Sequence, residues 1–448
     1  MSSVTRRQFL CQVALTSAAL GVPTIISSGL YGATGRTAPG NRITVAAIGF
    51  GNRGEVDLRA MLDNPEAQVV AVCDVHEAQR TKGKQAVDKQ YGNADCAVYR
   101  DFRELMARKD LDAVLICAPD HWHTLMALEA ARQGKHMYCE KPMGWSVRAA
   151  HAVQNAVTQR KVVFQFGTQQ RSDRKFLQAC ELVRNGRIGK LQTILVGVPG
   201  SWTCPKQATE LAPKELDYDL WLGPAPQAPY SYQRCRPYTA KDKWSVWYSI
   251  SDYCLGMIGN WGVHHLDIAQ WGNHTELSGP QEIEGMGEFP ADMLTDCATK
   301  WQVENRFANG VTLVHMDDAT SKKHPLQVGG FGHGVTFLGS EGWVHVRRGY
   351  IEAQPASLLE TKFGTGDVRL FASEHHHNNF IDAVKGRSQP AAPIEVAVRV
   401  DTLCNLQQIA IKLRRKLHWD PVKETFSNDE AANRLLDRPM RAPWKLAS

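Results

Sequence analysis

Ile43-Thr44-Val45-Ala46-Ala47-Ile48-Gly49-Phe50-Gly51-Asn52-Arg53-Gly54 is the stretch on which the fold turns. Its first six residues are β-branched or small, the composition of a strand buried on both faces. The glycines that follow are spaced G-x-G-x-x-G. Gly49 permits a tight turn, Gly51 lets backbone approach a pyrophosphate, and Gly54 lets a helix pack close to the strand. The amides that open that helix, around Asn52 and Arg53, face the phosphates. Asp74 ends the next apolar run about 20 residues further on, where a carboxylate accepts hydrogen bonds from an adenosine ribose. The same carboxylate repels a 2′-phosphate, so the pattern points to NAD, with NADP disfavoured.

Outward from that point, short apolar strands alternate with helical stretches. Strands are expected at Ile43–Ile48, Val69–Cys73, Ala113–Cys117, His136–Cys139 and Val162–Phe166. Helices are expected at Glu55–Leu62, Glu77–Lys89, Phe102–Ala107, Thr124–Arg132 and Val147–Thr158. Such alternation implies a doubly wound parallel sheet with right-handed crossovers, a Rossmann domain over residues 41–166. Ligands of these sheets sit beyond the carboxyl ends of the strands. Cys117-Ala118-Pro119-Asp120-His121-Trp122-His123 should therefore lie along the cofactor, although His121 or His123 could instead serve only to start the next helix.

After Gly167 the pattern changes. A helix (Phe176–Val183) leads to longer strand-like runs at Leu191–Val198, Lys300–Phe307, Val311–Met316, Gly334–Leu338 and Trp343–Arg347. Asn309-Gly310 and Ser340-Glu341-Gly342 are hairpin turns. Residues 167–448 thus read as an α+β domain, a mostly antiparallel sheet covered by helices. A loop from Gly200 to Lys243, rich in Pro, Tyr and Trp, has the character of a site-shaping segment. Helices are expected near Asn379–Lys385 and Arg399–Lys416, with the last thirty or so residues wrapping over the surface.

The 448 residues carry a formal charge of only +6, and no dense basic run occurs beyond the first residues, which argues against a nucleic-acid partner. The N-terminus reads as an export signal: Thr5-Arg6-Arg7-Gln8-Phe9-Leu10, a modest apolar stretch (Cys11 to Ile26), and a small-residue exit near Tyr31-Gly32-Ala33. That stretch is too short and polar for a membrane span, and no stable membrane insertion is expected. The twin-arginine pattern implies a periplasmic or otherwise exported protein over residues 34–448. Away from the soluble nicotinamide pool, such a protein must carry its cofactor with it. Of the 11 cysteines, none has metal-ligand spacing; Cys73 and Cys117 read as buried thiols, and no obligatory disulfide framework is expected.

At Glu140-Lys141-Pro142 the chain resembles the Gfo/Idh/MocA (glucose–fructose oxidoreductase / inositol dehydrogenase) family. The likeness includes Gly49-x-Gly51-x-x-Gly54, Ala118-Pro119 with His123, Arg187-Ile188-Gly189-Lys190, Gly339-Ser340-Glu341-Gly342 and Asn379-Phe380-Ile381-Asp382-Ala383. The resemblance implies hydride transfer between nicotinamide and a sugar, sugar acid or cyclitol. It also implies that the C-terminal sheet is open-faced and that the protein is a homo-oligomer, dimer or tetramer, assembled through that sheet.

It further implies that Lys141 lies near the nicotinamide and the reacting hydroxyl, with Glu140 orienting Lys141 or the cofactor. Many relatives carry Asp, three residues, then His on one helix face. Here Asn260 occupies the aspartate position and His264 matches the histidine, the candidate base. An amide orients an imidazole but does not neutralise an imidazolium. Asp267 either compensates or is structural, and His265 reads as packing. Gln169, Gln170 and Arg171 open the second domain where relatives contact cofactor and substrate; a hinge is the other reading. Trp202, Trp244 and Trp247 are sugar-stacking candidates or core residues. His375-His376-His377 invites a metal reading, but without a spaced partner it reads better as a helix-entry or substrate-lining cluster. Three functions stay open: dehydrogenation, a redox-neutral cleavage or epimerisation through a transient keto-sugar, and non-catalytic sugar binding with NAD retained.

Overall fold

The computed structural model describes residues 37–236 and 245–446. The twin-arginine leader, its cleavage region and Trp244 lie outside the described residues. Thr37–Arg42, with a 3-10 turn at Pro39–Asn41, belongs to a unit of its own; residues 43–448 form the other.

The larger unit starts with β1 (Ile43–Ile48), α1 (Asn52–Asp63), β2 (Ala67–Cys73), α2 (Glu77–Tyr91), β3 (Ala97–Tyr99), α3 (Phe102–Met106), β4 (Ala113–Ile116), α4 (Asp120–Arg132), β5 (His136–Cys139), α5 (Val147–Arg160) and β6 (Phe164–Phe166). The six strands are parallel in the order β3-β2-β1-β4-β5-β6, which puts the reversal of strand order between β1 and β4. The central strands are apolar because helices cover both faces: Val114, Leu115 and Ile116 of β4 are fully buried. β3 is a strand that periodicity misses, being three residues long and only partly buried. The helix after β4 starts at Asp120, not Thr124. Pro119, with φ −59°, is its N-cap, so His121, Trp122 and His123 belong to the first turns of a helix.

The second sheet has nine strands, adding β7 (Leu191–Val198), β8 (Glu282–Glu288), β9 (Lys300–Arg306), β10 (Thr312–Asp317), β11 (Gly334–Gly339), β12 (Trp343–Arg347), β13 (Tyr350–Gln354), β14 (Leu417–Asp420) and β15 (Thr425–Phe426). Their order is β13-β12-β11-β7-β10-β9-β8-β14-β15; β7 and β10 are parallel and every other pair is antiparallel. The C-terminal stretch does more than wrap the surface: β14 and β15 extend the sheet and bury Trp419 and Phe426. Helices cover this sheet from one side, beginning with α6 (Arg174–Arg184). The short α7 (Met257–Asn260) and α8 (Gly262–Asn273) follow; α9 (His376–Val384) instead packs on α1 of the first domain, and α10 (Ile394–Leu413) returns to the second sheet. Every residue of α8 is buried, and α10 packs on both α5 and β8, tying the two sheets into one body. Among the described residues, no helix is long and apolar enough to cross a membrane.

Candidate active site

The nucleotide end forms where β1 turns into α1. Gly49 has φ +86°, a region a side chain rarely adopts, and a Cβ there would lie 2.6 Å from the Cys117 carbonyl oxygen. A Cβ on Gly54 would lie 2.0 Å from the Gly49 carbonyl oxygen, so helix and turn touch only because Gly54 has no side chain. A Cβ on Gly51 would meet nothing within 4 Å: this backbone faces open space. α1 has no side-chain cap, so its first amides remain available to an anion. Asp74 receives the Phe50 and His76 amides, both at 2.8 Å, which fixes its carboxylate at the end of β2. Burial raises its pKa against those two bonds.

A cleft of about 1150 Å³, including its open mouth, joins these residues to Ala118 and Pro119. Its far wall comes from the second domain: Leu216, Trp221, Trp247 and Tyr248. Trp247 and Tyr248 stack at 3.8 Å, and Trp202 meets Tyr248 edge-on. Glycine turn, bare helix start, acidic strand end and cleft together fit a dinucleotide.

Behind the cleft lies a buried charge network. Arg53 reaches Asp57 at 2.5 Å and Glu140 at 3.0 Å. Glu140 also receives Gln169 Nε2 at 2.7 Å and the Lys141 amide at 3.2 Å. Burial opposes ionisation of Glu140, but Arg53 and Lys141 outweigh it and lower its pKa. Asp57 is fully buried and accepts from His377 Nε2 at 2.8 Å, while the His377 ring stacks on Tyr138 at 4.8 Å. His376 bonds the Phe166 carbonyl and the Ser172 hydroxyl. The histidine run thus enters α9 and braces the network from below. Among the described residues, no three His, Cys, Asp or Glu side chains group to hold a metal.

Lys141 projects from the end of β5, and its ammonium donates to the backbone carbonyl of Asn260 at 3.0 Å. Burial lowers its pKa, against the pull of Glu140 and Asp120. Asn260 therefore meets Lys141 through its main chain. Asn260 and His264 also do not share one continuous helix: α7 ends at Asn260, and Trp261 links it to α8. His264 is buried, and its Nδ1 has no hydrogen-bond partner. Burial first, then the charges of Lys141 and Arg348, hold its pKa well below the ordinary value, so it is a neutral imidazole. In the amide orientation that satisfies both neighbours, Gln170 donates to the His264 carbonyl at 2.8 Å and accepts from Arg348 Nε at 3.3 Å.

Two sequence candidates are committed elsewhere. Arg171 forms a two-pronged ion pair with Asp267, both contacts 2.7 Å, with side chains 5% and 1% exposed. Its guanidinium also lies 4.9 Å from the Trp271 ring centre. Neither residue is left to serve His264. His121 bonds the Trp221 carbonyl at 2.9 Å among Trp145, Trp221 and Tyr253; burial pushes its pKa down to about 3. It is a core residue beneath the aromatic wall, off the cofactor surface. His123 lies between the Pro142 carbonyl (2.5 Å) and the Ala118 carbonyl (2.7 Å), joining the two turns that border the cleft. Asp120 is buried with one carboxyl oxygen unpartnered, and burial pushes its pKa up to about 8 against the attraction of Lys141.

Sequence reasoning missed Arg348 and Trp261. Arg348 stands at the turn between β12 and β13, some two hundred residues from Lys141, and its guanidinium lies 4.6 Å from the Trp261 ring centre. No spacing in the sequence signals that meeting. Cys73 is buried as expected, whereas Cys117 is only half-buried and donates to Asp57 at 3.3 Å; the described cysteines are free thiols.

Residues 43–168 match the Gfo/Idh/MocA oxidoreductase family, NAD-binding Rossmann fold, and residues 200–341 and 366–446 match that family's C-terminal alpha/beta domain. The chain belongs to this family. An inositol 2-dehydrogenase of Rhizobium meliloti is 31% identical over 149 residues, covering 33% of this chain and 43% of that protein. A glycosyl hydrolase family 109 protein of Saccharopolyspora erythraea is 35% identical over 160 residues, covering 32% of this chain and 34% of that protein. The chain thus spans less than half the length of these curated relatives. Among solved structures, the WlbA dehydrogenase of Bordetella pertussis, in complex with NADH and UDP-GlcNAcA, matches in fold with a TM-score of 0.59 at 15% identity. That match covers 85% of this chain and 99% of the other.

Proposed function

We propose that this protein is an NAD-dependent oxidoreductase acting on a hydroxyl-bearing carbon of a sugar, sugar acid or cyclitol. The observation that carries the reading is Lys141, bonded to the Asn260 carbonyl four residues ahead of the buried His264, behind the cleft bordered by the glycine turn. When bound, the nicotinamide supplies the hydride acceptor. Lys141, anchored by the Asn260 carbonyl, hydrogen-bonds the substrate oxygen as its C–O bond gains carbonyl character. His264 takes the hydroxyl proton; burial and the neighbouring cations hold its imidazole neutral, so one ring nitrogen is free to accept it. Gln170 bonds the His264 main chain and so steadies the helix start. Gly49, Gly51, Gly54, Asp74, Ala118 and Pro119 would hold the nucleotide, with Asp74 favouring NAD. Arg171 is assigned to structure, and Asn260 acts through its carbonyl.

A second reading, redox-neutral cleavage or epimerisation with the hydride returned, is favoured by the wall of Trp221, Trp247 and Tyr248 against the nucleotide cleft. Such a wall retards exchange of the cofactor. Retention suits an exported enzyme, which the leader motif supports, and the glycosyl hydrolase relative is consistent with it. Assembly through the open sheet face is part of the same proposal. To test the proposal, the purified protein is denatured, the released NAD(H) is quantified, and the native protein is incubated with sugars, uronates, inositol and glycosides. Net NADH accumulation supports dehydrogenation, and product without net reduction supports the closed cycle. Absence of any bound or bindable NAD(H) and of any turnover overturns both.

A further inference from the structure

Arg348 is a cation at the substrate side without an anion of its own. Its guanidinium lies over Trp261, and the Trp261 ring is in turn 5.9 Å from the His264 ring. Its Nε is directed to Gln170, which leaves the two terminal nitrogens as a fork. Among the described residues, no ion pair engages it. Glu140 and Asp173 attract it from a distance, but Glu140 is paired with Arg53, and Asp173 caps α6 by accepting from the Lys175 amide at 2.8 Å. The charge of Arg348 is close enough to depress the pKa of both Lys141 and His264. Arg348 is exposed at the β12–β13 turn, so its charge is solvated; covering it with a neutral ligand costs desolvation without return, whereas an anion restores the balance.

We propose that the substrate is a monosaccharide unit bearing a carboxylate, and that Arg348 receives this group through its terminal nitrogens while Trp261 supports the sugar ring. This inference rests on the proposed sugar oxidation and narrows its substrate class. A carboxylate suits the site better than a phosphate. The fork is flat and singly charged, Arg53 is paired with Asp57 and Glu140, and Lys141 is assigned to the reacting oxygen. Trp261 spans the distance between Arg348 and His264, so one monosaccharide can reach both. The charge also has a consequence for catalysis: neutralising Arg348 relieves its depression of the His264 pKa, making the imidazole a better proton acceptor once the acid is bound.

The test is calorimetric binding to the NAD-loaded protein with glucose, glucuronate, methyl glucuronate ester and glucose 6-phosphate, and the matching galactose series. The expected result is that one uronate binds about tenfold or more tightly than its neutral aldose and its methyl ester, a preference that shrinks with salt. Arg348→Gln should bring the uronate down to the level of the ester. Melting temperature and NAD content report whether that variant folds; if it does not, the acid-against-ester comparison on the unaltered protein decides. Neutral sugars binding as well as uronates overturns this inference while leaving sugar oxidation standing. Tighter binding of the phosphate overturns the carboxylate assignment. Failure of every sugar to bind or react overturns the proposed function itself.

Discussion

Replacing Asp267 with Asn separates two accounts of the residues around His264. The Arg171–Asp267 pair is almost wholly removed from water, with two contacts of 2.7 Å. Withdrawing the carboxylate charge leaves a guanidinium buried without a counterion, a change that costs about 3–5 kcal/mol. With an unfolding entropy of about 2.1 cal/mol/K per residue over about 400 residues, that loss lowers Tm by about 4–6 °C. The assay is thermal unfolding followed by calorimetry, run beside steady-state kinetics on whichever sugar the protein oxidises. Asp267→Asn and Arg171→Met should both show the loss, and the double variant Arg171→Met/Asp267→Leu should recover most of it, because an apolar pair leaves no orphan charge. Turnover per folded molecule should change little. An Asp267→Asn protein that melts normally but has lost turnover, with its acid limb displaced, would refute the reasoning and make Asp267 the carboxylate partner of His264.

Lys141→Met should lower kcat by about 100- to 10,000-fold while NAD content after purification is unchanged, since the lysine acts on the reacting oxygen and not on the nucleotide. Gly54→Ala should fail to accumulate as folded protein or lose NAD outright, because its Cβ would lie 2.0 Å from a carbonyl oxygen; Gly51→Ala should fold and weaken NAD binding, measured by equilibrium dialysis. Acid should destabilise the protein early. His121, His345 and His376 titrate at about 3, and His315 and His333 at about 4, because burial disfavours their charged forms. Each takes up a proton on unfolding once the pH falls below the unfolded value of about 6.5, so stability is intact above that pH. It is lost progressively towards pH 4, by up to about 1.4 kcal/mol per pH unit for each histidine. Urea midpoints across that window check the slope, and His121→Phe should reduce it, since Trp122 Nε1 still satisfies the Trp221 carbonyl.

What the sequence reveals here follows the range of each interaction. The Rossmann half is legible because its signals are local: β1 and β5 have the bounds expected, and the roles of Gly49, Gly51 and Gly54 follow from backbone sterics within one turn. The second sheet is legible only where strands are apolar. β8, Glu282–Glu288, passes unnoticed because its exposed face carries Glu284, Met286 and Glu288 and its inner face has two glycines beside the one apolar Ile283. The start of α4 is missed because a proline reads as a break, although it opens a helix well. At the site, Lys141 and His264 stand out by motif, but their relation does not. The expected Asn260–His264 helix face is interrupted at Trp261, and the contact to Lys141 is a backbone carbonyl that no residue identity encodes. Arg348 and the Arg171–Asp267 pair arise from long-range packing.

The most direct test of the central claim is rapid mixing of the NAD-loaded protein with a saturating sugar substrate, followed in the absorbance band of reduced nicotinamide. The account predicts a burst of reduction within the first turnover, slowed by deuterium at the oxidised carbon and absent in Lys141→Met. Turnover of that substrate with no reduced nicotinamide at any time, and no effect of deuterium, would contradict it.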